Sequence, residues 1–190
     1  LSVPDLLLTK EQLEGLKGFT FTSFLEPEAL PIAVVCGVIF FCYSSVLSFL
    51  APYVREAGLV EAGNLFFVVF SAAVLLSRPY IGRLFDVRGE NFAMYPAILV
   101  FVIGLVILSQ THHGYTLLLA GALIGIGSAA VQSLSQAISV KITKPHRLGL
   151  ATSTFFIFMD AGVGVGPFVL GLFIPLIGYR GIYISASVLA

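Results

Sequence analysis

Asp160 is the only acid well inside an apolar run of this sequence. A carboxylate at membrane depth is costly and by default functional. Removal from water favours its protonated form, which suits a proton carrier. The alternative is an acid that pairs with a base or donor outside this sequence and serves packing or gating. Arg78 stands near the end of another apolar run, where its long side chain can snorkel. Five neutral groups are candidates for lining a solute cavity: Tyr43, Ser44 and Ser48 in one run, Gln132 and Gln136 in another. They offer hydrogen bonds and one aromatic face but no fixed charge. That argues against a strongly anionic solute unless bases come from elsewhere.

A second group sits in the polar stretch 77–91, between two apolar runs. Gly82, Asp86 and Gly89 occur at fixed spacing, with Arg83 and Arg88 between them. The stretch reads as a linker between membrane helices. Gly82 and Gly89 allow tight turns with positive φ. Asp86 is suited to accept hydrogen bonds from a helix N-terminus, where free N–H groups and the dipole favour an anion. Arg83 and Arg88 can pair with carboxylates or hold the loop on the cytoplasmic side.

The elements that position these residues follow from composition. The 190 residues are 58% hydrophobic and 11% charged, with a mean hydropathy of +1.02. Soluble domains carry about 25% charged residues, so the chain reads as a polytopic membrane protein. Zero net charge gives no pointer to nucleic acid. The three His and two Cys make no metal-ligand spacing. Cys36 and Cys42 read as small packing residues, and no metal or cofactor is expected.

Spans are expected at roughly 30–53, 62–80, 92–109, 115–140 and 148–176, with a sixth starting near 181. The last run holds about ten residues where a span needs about 20. The chain also lacks an initiator Met, so it reads as a piece of a longer protein, cut in its last helix. Residues 1–29 read as a cytoplasmic linker, in which 9–17 has the pattern of a short amphipathic helix with Leu13 and Leu16 on one face. Bases set the orientation. Lys10, Lys17, Arg83, Arg88, Lys141, Lys144 and Arg147 fall inside, against Arg55 and Arg180 outside.

Within the spans, polarity is uneven. Gly121, Gly125, Ser128, Gln132, Ser135 or Gln136, and Ser139 make one stripe on the fourth span, which must face protein or water. Gly162 and Gly166 form a small-xxx-small pair for close packing, with Pro167 beside it. The third span carries almost no polar side chain and reads as lipid-facing and peripheral.

The stretch 82–91 resembles the loop signature of the major facilitator superfamily, Gly-x-x-x-Asp-Arg/Lys-x-Gly-Arg/Lys-Arg/Lys. Gly82, Asp86 and Gly89 match. Val87 replaces a base, and Glu90 and Asn91 replace the final basic pair. Gly166-Pro167 followed by Gly171 is similar to the Gly-Pro-x-x-Gly-Gly signature of the superfamily's proton antiporters, one residue longer and in a different helix. The resemblance implies an all-α polytopic membrane protein. It would be the second six-helix half of a twelve-helix major facilitator fold, built from inverted three-helix repeats. The first helix of each repeat would line the cavity, the second would pack between halves, and the third would face lipid.

The implied function is secondary active transport by alternating access in the cell membrane. The partners would be a small-molecule substrate, protons, the lipid bilayer and a missing N-terminal six-helix half. The loop Gly82–Gly89 would act as a cytoplasmic latch, Asp86 capping a helix of that missing half. Export of drugs or other small amphipathic molecules is the first reading. Proton-coupled import of sugars or similar nutrients is the second, and a membrane protein without transport is a distant third. An enzyme would need a nucleophile and base or a ligand cluster at membrane depth, and Asp160 stands alone there.

Overall fold

The computed structural model describes residues 25–190, and the side chain of Asn91 is not described. The expected amphipathic segment at 9–17 and most of the linker lie outside the described residues. Apart from short connections, the described residues are helical, in five α-helices. These are α1 (Leu30–Glu56), α2 (Val60–Arg88), α3 (Glu90–Ser109), α4 (Gly114–Ile142) and α5 (Leu148–Leu189), with a 3₁₀ turn at Pro145–Arg147. All five have a segment long and apolar enough to cross a membrane. Hydrocarbon cannot satisfy backbone N–H and C=O groups, so apolar runs of this length become helices.

Glycine and proline set the ends. Pro31 sits in the first turn of α1, where a missing N–H costs nothing. Gly58 (φ 69°) and Gly89 (φ 82°) take left-handed conformations that release the chain after α1 and α2. Gly178 (φ 66°, ψ 176°) breaks α5 into a long arm, 148–177, and a short arm, 179–189. That break stands where the fifth and sixth spans were expected to part.

Helix α2 departs from expectation. It does not end near residue 80 but runs on to Arg88. Gly82, Arg83, Asp86 and Arg88 are therefore helical, and Gly82 makes no turn. Gly89 alone turns the chain, its N–H bonded to Phe85 O at 3.0 Å. Polarity in 77–91 marks where the helix leaves the apolar layer, not where its hydrogen bonds stop. One helical Gly costs about 1 kcal/mol, too little to end an otherwise sound helix.

Helices α1 and α4 form the centre and touch each other. The long arm of α5 packs on α1, α2 packs on α4, and α3 packs on both α4 and α5. The outermost element is α2, which among the described residues buries only Phe66. Helix α3 is less peripheral than expected. Its Phe92, Tyr95, Leu99, Ile103 and Val106 are exposed, as a lipid face would be. Its other face buries Ala93, Met94, Ala97, Phe101, Leu105 and Leu108 in the main core with Tyr183 and Ala186 of the short arm. An apolar sequence does not distinguish these faces, since both lipid and protein accept it.

The seam between α1 and the long arm is made by glycine. A Cβ on Gly37 would lie 2.9 Å from Phe158 O. One on Gly162 would strike Gly37 O, and one on Gly166 would strike the Ser44 hydroxyl. At the end of the bundle away from the linker, the Tyr53 hydroxyl donates to Leu108 O at 2.9 Å and its ring meets Tyr183 edge-on at 5.2 Å. Tyr53→Phe is expected to cost about 1 kcal/mol. Leu108 O keeps a bond from the Thr111 N–H, so the loss is one bond and not an orphaned carbonyl. A thermal unfolding midpoint unchanged within error would contradict that bond.

Candidate functional site

The candidate cavity residues do not stay together. Tyr43 of α1 is half-buried and stacks on Phe70 of α2, centroids 6.0 Å apart and planes at 20°. Phe40 meets Tyr43 edge-on at 5.5 Å, and Phe67 meets both Phe70 and Phe66. One ladder of rings thus runs from α1 to α2. Phe40, Phe67 and Phe70 carry no signal in a sequence with 17 Phe. The ring contacts alone reveal them.

Gln132 of α4 joins this group. Its Nε2 is 3.5 Å from Met159 Sδ on the long arm. Met159 packs with Cys36, Phe40 and Phe155, and Tyr43 lies against the same cluster. Tyr43 and Met159 thus pack with Phe40, and Gln132 reaches Met159 from α4, where α1, α4 and α5 meet. Gln136 is half-buried one turn further along α4. Ser48 is exposed, one turn beyond Ser44 on α1.

Ser44 is a correction. It is fully buried, its hydroxyl donates to Phe41 O at 2.6 Å, and it fills the space that Gly166 leaves. A hydroxyl satisfied by its own helix and closed in by a glycine is a seam residue, with nothing left for a solute. The other packing glycines are equally tight. A Cβ on Gly121 would lie 3.0 Å from the Phe66 ring, and one on Gly125 would lie 2.7 Å from Phe70 O. The stripe on α4 thus receives α2 at one end, while Gln132 looks toward α5. Pro167 lies inside the long arm, half-buried.

Asp160 is read above as a proton carrier or as an acid that meets a group outside this sequence. It is exposed, on a face of the long arm with Ser153, Ile157 and Gly164. The described helices turn Met159 inward and leave the next residue outside. Arg78 is exposed on α2. With Ile81, Gly82, Phe85, Asp86 and Ser133 it lines a groove between α2 and α4. Asp86 makes no ion pair among the described residues. Arg83 is exposed, and the Arg88 guanidinium lies over the Phe92 ring at 4.7 Å. Glu90, which replaces a base of the loop signature, pairs with Lys141 at the end of α4. Among the described residues no group of His, Cys, Asp and Glu could hold a metal ion.

The chain is similar to several transporters. It is 29% identical over 154 residues to the multidrug resistance protein MdtG of Escherichia fergusonii, covering 77% of this chain and 38% of that protein. It is 31% identical over 130 residues to the MFS-type transporter YhhS of Salmonella typhimurium, 68% of this chain and 31% of that one. It is 24% identical over 106 residues to the MFS-type efflux transporter phmH of Phaeosphaeria nodorum, 56% and 19%. The matched part of the chain thus spans less than two fifths of each of these relatives. The profile of the Major Facilitator Superfamily matches residues 32–190, and with five membrane-length helices behind that match, the chain belongs to this superfamily of transporters.

Proposed function

We propose that these residues form the second half of a proton-coupled exporter of small amphipathic molecules, working by alternating access. The uncharged aromatic face carries this reading. Tyr43, Phe67 and Phe70 offer ring faces and edges and Gln132 one amide, with Phe40 and Met159 buried behind them. Such a surface holds flat, apolar solutes by stacking and dispersion and tolerates differences of shape. A sugar site would need a denser set of hydrogen-bonding groups. Two relatives whose names say multidrug resistance and efflux support the same reading. The segment 1–29 would be the cytoplasmic link between halves, and Asp160 on its exposed face would take and release the proton or meet a partner of the other half.

The test uses inside-out vesicles of the full-length protein with an acidic interior and a pH dye. A compound from a cationic and neutral amphipathic panel should dissipate the gradient only when the protein is present. No response across the panel, followed by sugar-driven proton uptake with the gradient reversed, would replace export with import. For a compound that responds, Tyr43→Ala should weaken transport by up to about tenfold, the worth of aromatic contacts of ~0.5–1.5 kcal/mol. Ser44→Ala should leave it within about twofold. Equal losses in the two variants would place the solute elsewhere.

A further inference from the structure

We propose that Glu26 and Arg147 form a clasp that positions the linker end of α5 against α1. Glu26 precedes α1 and is only 4% exposed. An acid so enclosed needs partners, and it has them in the start of α5. Its carboxylate accepts from Arg147 Nε. Its backbone N–H donates to Thr154 Oγ1 at 2.8 Å, and that hydroxyl in turn donates to Leu150 O at 2.8 Å. Its carbonyl accepts from the Ala29 N–H at 3.2 Å, building it into the turn that opens α1. Arg147 closes the 3₁₀ turn between α4 and α5, its own N–H bonded to Lys144 O at 2.8 Å. One residue thus joins the entering chain to the start of α5 through both its side chain and its backbone, across more than 120 positions of sequence. The other ion pair among the described residues, Lys141–Glu90, has its lysine 64% exposed, and water screens such a pair.

The effect follows from leverage. Helix α1 and the long arm already meet backbone to backbone at Gly37 and Gly162. The close approaches at Gly37, Gly162 and Gly166 hold the middle of the two rods. The clasp fixes their linker ends as well, so that those ends cannot splay. The long arm, with Asp160 on its outer face, then keeps one angle to α1 and follows any displacement of the chain that enters α1. Glu26 and Arg147 are positioning residues in this sense, and only their bearing on transport rests on the exporter reading.

Two native thiols test the clasp without a substrate or a proton gradient. Cys36 lies in the α1–α5 seam with Phe155 and Met159, whereas Cys42 belongs to the main core. Both are free and buried. The full-length protein in membranes would be treated with N-ethylmaleimide, and each site followed by mass spectrometry. Glu26→Gln and Arg147→Gln should each raise the Cys36 rate at least about fivefold and leave Cys42 within about twofold. The reciprocal exchange, Glu26→Arg with Arg147→Glu, should bring Cys36 back to within about twofold of the parent. Unchanged Cys36 in both single variants, a parallel rise of both thiols, or no recovery in the exchange would each overturn the clasp. If the single variants fail to accumulate, the exchange decides: recovery of membrane protein and parental labelling sustain it, and loss sinks it. A failed vesicle assay with this labelling pattern intact would fault the exporter reading alone.

Discussion

Gly162→Ala is expected to cost ~1–3 kcal/mol or more, the range for an overpacked seam, and to deplete the folded protein. The atoms that a Cβ would meet are backbone: Gly37 O, and Phe41 N at 2.9 Å. No rotamer change relieves that collision, so α1 and the long arm must separate along their whole contact. Small residues at such crossings are what let membrane helices approach, because lipid gives no hydrophobic drive to pack them. Gly164, two positions on, is an internal control. It has the same helix propensity cost and no atom within 4 Å of its added Cβ. Gly164→Ala should therefore match or slightly exceed the parent in thermal midpoint, since Ala is the better helix former. Size-exclusion profiles and unfolding midpoints of the two variants, in one detergent, make the comparison. Equal midpoints would mean that α1 and α5 do not meet where Gly37 and Gly162 place them.

What could be read without coordinates divides along physical lines. Helix number and approximate length were legible because hydrocarbon leaves apolar backbone no other choice. The break at Gly178 was legible as the gap between two apolar runs. The end of α2 was not, because membrane depth and helix length are separate quantities, and a polar residue reports only the first. The role of Ser44 was not legible either. A serine in an apolar helix can satisfy itself on the carbonyl three residues back, so its presence does not say whether solute or glycine lies opposite. The face that Asp160 takes was not legible, since its neighbours in sequence are apolar whichever way the helix turns. Glu26 and Arg147 had only one faint signal, an acid and a base each placed just before a span. The pairing joins residues 121 positions apart, which no local pattern encodes.

Asp86→Asn is expected to lower transport at least about tenfold while the amount of protein in the membrane stays within about twofold. The position of Asp86 supplies the argument. It lies in the last turn of α2, exposed, with no ion pair among the described residues. A carboxylate there faces the negative end of its own helix dipole, an arrangement that costs ~0.3–1 kcal/mol. Within this half, then, the charge is a small burden, and amide replacement should be neutral or slightly stabilising. It shares a groove between α2 and α4 with Arg78, Phe85 and Ser133, in which Arg78, Asp86 and Ser133 are exposed. On the latch reading, a helix N-terminus of the other half would receive this charge through its free N–H groups. The asymmetry between transport and abundance is what separates a latch from a topology determinant. Vesicle transport normalised to quantified membrane protein measures it. Equal losses in both quantities would show that Asp86 serves assembly, and a full retention of transport would show that the groove receives no helix end.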